Sequence, residues 1–207
     1  MSDYLVSALV TLFVVVDPVG LAPTFLAVTH GLPEKARLRI AIRACIIAGA
    51  VLAGTALAGD WLLTTLGITL PAFRIAGGLL LFAVASEMVF GVRIERQSQQ
   101  AEEAVEEHVH NIAAFPLAIP LMAGPGAITA TLLLAGQAGG RALFLAGLLG
   151  VVVLVSVACF LVYLFATRIE RFFGITGNVV MSRLLGVILA ALAVQFVIDG
   201  VKAVLAG

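Results

Sequence analysis

Charged residues make up only 12% of this 207-residue chain, against 62% hydrophobic, which excludes an ordinary soluble domain, where about a quarter of the residues are charged. Cysteine is nearly absent. Cys45 and Cys159 both lie inside apolar runs without metal-ligand or redox spacing. That excludes a disulfide framework and leaves two small core residues. His108 and His110 form an H-x-H pair in a polar stretch with no supporting Cys or His cluster, so they read as loop histidines, and neither a metal site nor a cofactor is expected. No Gly-x-x-x-x-Gly-Lys-Ser/Thr stretch occurs, so a primary pump would need an ATP-binding partner. The N-terminus lacks the basic region and small-residue cleavage site of a secretory signal, and its first apolar run is expected to stay as a span. Formal net charge is zero, no nucleic-acid partner is expected, and nothing fixes an oligomeric state.

What the chain does have is long apolar runs without two-residue alternation, with a mean hydropathy of +1.16. Only helices suit such runs, and the lipid bilayer is the implied partner. Six spans can be drawn: Tyr4 to Thr29, about Ile40 to Leu57 or beyond, Pro71 to about Phe90, Phe115 to Gln137, Ala142 to Ala166, and about Met181 to Val204. The apolar tail Leu62 to Leu70 either extends the second span or lies along the surface. Between Gly91 and Asn111 the composition turns to Arg, Glu, Gln and Ser, which reads as a solvated, partly helical loop.

Two spans are interrupted near their centres, the first by Asp17-Pro18-Val19-Gly20 and the fourth by Pro120 and then Gly124-Pro125-Gly126. Broken backbone and an ionisable group at that depth belong in a protein interior or a watery cavity, the hallmark of a transport site. The plainer reading of Asp17 is a helix cap followed by a proline restart. Both readings stay open on the sequence.

The two halves repeat. Pro18 and Pro125 are 107 residues apart, as are Gly67-Ile68-Thr69 and Gly174-Ile175-Thr176, and an offset of 109 then relates Arg74 to Arg183, Gly77 to Gly186 and Gly91 to Gly200. Three spans per half force the second half to enter from the opposite side, an inverted repeat. The expected fold is thus an all-α integral membrane protein of six transmembrane helices arranged as two inverted three-helix repeats, with helices 1 and 4 broken at mid-membrane. It forms one transmembrane domain over residues 1–207, with repeat one at about 1–91, a cytoplasmic loop at about 92–111 and repeat two at about 112–207. With both termini outside, nine Lys and Arg residues fall on the inner side and three on the outer, as the positive-inside rule requires.

At each break a helix N-terminus would present unpaired N–H groups and a positive dipole end at mid-membrane, suited to a carboxylate. Pro18 and Gly20 on one side, and Gly124, Pro125 and Gly126 on the other, would line that site, with Asp17 adding one negative charge. A small zwitterion or a proton-coupled anion fits, with a coupling proton or cation. Thr24, Thr129 and Thr131 follow the breaks and offer hydroxyls, with bonding within or between helices as the plainer reading of each. Arg74 and Arg183 could gate the two sides by pairing with acids such as Glu87 or Asp199, or act as snorkelling anchors. Gln195 is expected to face the cavity.

Asp17-Pro18-Val19-Gly20 followed by Pro23, together with the run from Pro116 to Ile128 that contains Gly124-Pro125-Gly126, closely resembles the two signature stretches of the MarC family of bacterial inner-membrane proteins. The resemblance covers the whole chain. It departs at Leu21, where many members carry Asn. The resemblance implies a six-helix multi-pass protein of the bacterial inner (plasma) membrane, classed with neutral amino acid transporters. The reading is a secondary transporter of small neutral amino acids working by alternating access. The alternatives are an exporter of another small metabolite and, if Asp17 is only a cap, a non-transporting membrane protein. An enzyme is not expected, because the spans offer no nucleophile with a base and no metal cluster.

Overall fold

A computed structural model of the chain describes residues 1–106 and 111–206; the H-x-H pair lies outside the described residues. Among the described residues eight α-helices follow one another: α1 (Ser2–Val16), α2 (Leu21–Val28), α3 (Glu34–Thr65), α4 (Leu70–Phe90), α5 (Val92–Glu106), α6 (Pro125–Ala138), α7 (Ala142–Leu164) and α8 (Ala166–Ala206), the last kinked at Gly174. Between α5 and α6, Ala113–Met122 forms an irregular coil, with extended backbone at Phe115 and Ile119 and prolines at 116 and 120. Proline offers no N–H to a helix ladder and drives the residue before it out of the α region, so this stretch cannot continue as a regular helix.

Four helical stretches are long and apolar enough to cross a bilayer alone: Glu34–Gly59, Leu70–Phe90, Ala142–Leu164 and Thr176–Leu205. Two bent pairs bring the total to six if each pair is one span: α1 with α2 at 44°, and Ala113–Met122 with α6 at 56°. Both expected interruptions are therefore present as bends. The apolar tail after Trp61 resolves in favour of extension, since α3 runs on to Thr65 before a turn at Gly67 with φ +68°. Thr69 then caps α4, accepting a hydrogen bond from Ala72 N–H at 3.4 Å.

Helices α4 and α8 pack along much of their length, as do α3 and α7. Between apolar helices in lipid this association rests on close van der Waals contact, which small residues permit. A Cβ on Gly78 would stand 2.7 Å from the Ala193 carbonyl oxygen, and one on Gly186 would stand 2.8 Å from Cβ of Met88. Only glycine lets these backbones approach so far. Leu12, Leu21, Phe25, Leu81, Met88, Leu117, Leu133, Leu148 and Leu189 fill the interior. Even so, only 28% of the apolar window of α7 is buried. Val153, Leu154, Val157 and Leu161 instead form an outward apolar surface that lipid, not water, would cover.

One element departs from expectation. The helical part expected after Gly91 is α5, which keeps most of its charges in solvent but docks one face against α2, α4 and the 113–122 coil. Its buried residues are Arg93, Gln97 and Ala101, each four apart, whereas Glu95, Arg96, Glu102 and Glu103 are exposed. That spacing puts one face of a polar helix onto the bundle.

Candidate functional site

At the first bend, Asp17 takes a left-handed conformation with φ 53° and ψ 65°, which Asp tolerates better than most residues. Its carboxylate is fully engaged in holding the turn. Oδ1 accepts from the Gly20 N–H at 3.1 Å, and Oδ2 accepts from the Ser182 hydroxyl of α8 at 3.2 Å. A Cβ on Gly20 would collide with Oδ2, so the glycine is what lets the carboxylate fold back. Further bonds run from Leu21 N–H to the Asp17 carbonyl and from Ala22 N–H to the Val19 carbonyl, at 3.3 and 3.1 Å. The α2 N-terminus is therefore closed by its own turn. Asp17, Pro18, Gly20, Leu21 and Thr24 are all buried, and this bend is packed shut.

The second bend is open. Gly124 begins α6 in an extended conformation with no side-chain cap, and Pro125 occupies the first turn. The N–H groups of Gly126 and Ala127 thus begin the helix without a capping side chain. A Cβ on Gly124 would strike the Pro120 carbonyl oxygen, so the coil and the helix meet there only because the residue is glycine. A cavity of about 360 Å³ reaches this point, lined by Gly124, Pro125, Gly126, Ala127 and Thr129 from the bend, and by Val84 and Glu87 from α4. Arg93, Arg96, Gln97 and Gln100 of α5 complete its polar end. Its volume lies at the small end of the ~300–1,000 Å³ typical of small-molecule sites. A second cavity of about 520 Å³, between Phe25, Lys35, Arg37 and Tyr163, touches neither bend.

Arg93 connects the two bends. One of its terminal nitrogens, Nη2, donates to the Val15 carbonyl at 2.7 Å and lies 3.5 Å from that of Val16. These are the last carbonyls of α1, which have no partner within the helix and where a cation is favoured. The side chain of the same Val15 is the neighbour of Gly126, 3.3 Å from where a Cβ would stand. Val15 is therefore a neighbour of both the Arg93 guanidinium and the first turn of α6. Asp17, next along α1, is within electrostatic reach of Arg93.

The sequence-derived candidates accordingly divide. Gly124, Pro125, Gly126, Thr129 and Glu87 share the cavity, whereas Asp17, Pro18, Gly20 and Thr24 are sealed off from it. Thr131 bonds back to the Ala127 carbonyl at 2.7 Å, the intrahelical role. The proposed ion pairs of Arg74 and Arg183 with Glu87 or Asp199 do not form. Glu87 pairs with Arg96 at 2.8 Å, and Asp199 accepts from Gln195 at 2.8 Å. Glu87 and Arg96 are nine positions apart across the α4–α5 corner, and that fold-back brings them together. Gln195 is exposed on the outer face of α8 rather than turned to the cavity, since its neighbour Phe196 takes the inward position. Arg74 instead packs against Gly200, and Arg183 lies beside Gly91.

Three residues with roles here escaped the sequence reading. Ser182 and Asn178 sit one turn apart on α8, both buried, Ser182 on the Asp17 carboxylate. Drawing the sixth span only from Met181 placed Asn178 in the linker, and the polar pair at i, i+4 was the missed signal. Arg93 reads in the sequence only as one of the nine Lys and Arg residues assigned to the inner side. Gly91-Val92-Arg93 recurs as Gly200-Val201-Lys202 at the same offset of 109, which marked it as part of the repeat.

The model of a family described as MarC family integral membrane protein matches residues 2–205. A UPF0056 membrane protein of Archaeoglobus fulgidus is 37% identical over 96% of this chain and 92% of its own length. One from Aquifex aeolicus is 36% identical over 95% and 92%, and the UPF0056 membrane protein YhcE of Escherichia coli K12 is 32% identical over 95% and 91%. No solved structure matches the chain.

Proposed function

The chain belongs to the MarC family of integral membrane proteins, and from that premise we propose that it is a secondary transporter of small neutral amino acids, working by alternating access around its two bends. The observation that carries this reading is the cavity of about 360 Å³ that ends at the uncapped N-terminus of α6 inside a bent span. Irregular backbone at membrane depth needs a protein or water lining, and a helix N-terminus favours an anionic group. Glu87 also stands on the cavity wall, where it is paired with Arg96 at 2.8 Å. One bend open and the other sealed by Asp17 and Ser182 is the asymmetry expected of one state of an alternating-access cycle.

An inverted repeat underlies the reading. Gly67 and Gly174, 107 residues apart, both turn the chain with positive φ, at +68° and +61°. Arg74 lies beside Gly200 and Arg183 beside Gly91, and an offset of 109 turns the first pair into the second with the roles exchanged. A two-fold relation between the halves produces such reciprocal contacts. We place both termini outside and α5 on the cytoplasmic face of a plasma membrane, following the nine-to-three distribution of Lys and Arg. The cavity, at the α5 end of α4, then opens inward. Transport is tested by uptake of labelled glycine and alanine into proteoliposomes, with and without proton and sodium gradients. Uptake above that of protein-free vesicles is expected. Its absence under every gradient would overturn the reading.

A further inference from the structure

Among the described residues, Arg93 is buried, with 6% of its surface exposed, and its second terminal nitrogen, Nη1, has no hydrogen-bond partner. A buried donor left unmade is costly, and a charged one more so. Its placement sharpens the question. The guanidinium lines the same cavity as Gly124, Gly126 and Ala127, where the uncapped start of the 14-residue helix α6 already carries partial positive charge. The negative charge within reach of Arg93, that of Asp17, is held in its own turn by Gly20 and Ser182 and does not line the cavity. Nη2 is committed to the α1 carbonyl of Val15 at 2.7 Å, so the planar fork is held while its other branch stays free. Glu87, the acid in the cavity wall, is paired to Arg96 at 2.8 Å and does not fill that role.

Resting on the transport reading, we propose that Arg93 is the specificity-determining residue of the cavity: its free Nη1 and the uncapped Gly126 and Ala127 N–H groups together take the carboxylate of the transported solute. A substrate must then carry a carboxylate, whereas its amine is secondary. A guanidinium does this better than an ammonium because its donors diverge in a fixed plane, one branch to Val15 and one to the ligand. Lysine could hold the α1 carbonyls but not both partners in that geometry.

The test uses the full chain, purified in detergent, and three probes: L-alanine, propionate, which lacks the ammonium, and L-alaninamide, which lacks the carboxylate. A ligand that binds only the folded protein raises its melting temperature. Alanine and propionate should stabilise the unaltered protein, and alaninamide should not. Arg93→Lys should weaken both carboxylates by at least ~tenfold, as expected for loss of a charge-assisted hydrogen bond. A purely structural role for Arg93 would lower the melting temperature without changing the preference for alanine over alaninamide. Should the variant fold poorly, peptide-resolved mass spectrometry of the unaltered protein treated with phenylglyoxal supplies the second readout. Arg93 should be modified, with protection by propionate and none by alaninamide. The proposal is overturned if neither carboxylate stabilises the unaltered protein, if alaninamide does so equally, if Arg93→Lys binds like the original, or if Arg93 resists the reagent without ligand. Uptake of alaninamide into proteoliposomes would sink the carboxylate site while leaving transport intact.

Discussion

Asp17 combines two tasks that substitution can separate. Its backbone turns through the left-handed region and its carboxylate accepts from Gly20 N–H and the Ser182 hydroxyl. Asn can adopt the same conformation, its Oδ1 accepting from Gly20 N–H while its Nδ2 donates to the Ser182 hydroxyl oxygen. Asp17→Asn should therefore fold with a melting temperature close to the original, while losing the buried negative charge near Arg93. Uptake is expected to fall on the order of tenfold or more, since a lost charge interaction of ~1.4 kcal/mol already gives that factor. Asp17→Ala should add a folding defect of ~1 kcal/mol for the cap. Normal uptake by the Asn variant would leave Asp17 a purely structural turn residue. Gly124 offers a second separation at this scale. Its added Cβ would meet a backbone oxygen of Pro120, which cannot swing away, so Gly124→Ala should cost about 1–3 kcal/mol and distort the cavity. Gly150→Ala on α7, where nothing lies within 4 Å of the new methyl, should stay within ~0.5 kcal/mol in the same denaturation assay.

Helix α5 is the element whose behaviour composition conceals. Its charges suggest a wet loop, and most of them do face outward. Three positions at a spacing of four, Arg93, Gln97 and Ala101, turn inward, and Arg93 supplies a donor to the Val15 carbonyl at the end of α1. Cysteines introduced singly at Ser98 and Gln99 should react readily with a water-soluble maleimide, whereas those at Gln97 and Ala101 should be protected. Uniform reactivity across the four positions would mean that α5 does not dock. The Glu87 to Arg96 ion pair contributes little to that docking. The Arg96 side chain is 51% exposed, and surface pairs are worth at most about 1 kcal/mol.

For the whole molecule, the charge distribution makes a prediction about the membrane. A cysteine at Gln99 and another appended after Gly207 should label from opposite sides, as three spans after α5 require. Labelling from one side would defeat the six-span topology. The packing of α4 on α8 ties the two halves together through Gly78 and Gly186. A bulky residue at either position should separate the helices and lower stability more than the same change at exposed Val153 or Val187.

Much of this is written in the sequence. Long uncharged runs dictate membrane helices because lipid offers backbone groups no partner. Asp17-Pro18 and Gly124-Pro125 dictate where two of them bend, because proline withholds a donor and glycine yields to the turn. Such effects are local and need only neighbouring residues. Which bend is open is not local. Asp17 is a sealed turn because Ser182, 165 residues away, meets its carboxylate, and the α6 N-terminus is bare because no side chain caps it with a hydrogen bond. Arg93 likewise reads as one basic residue among many in a polar stretch. Only the folding of α5 against α2 and α4 carries it into the cavity, since a long side chain on a helix can be assigned a partner only after that helix has been assigned a neighbour.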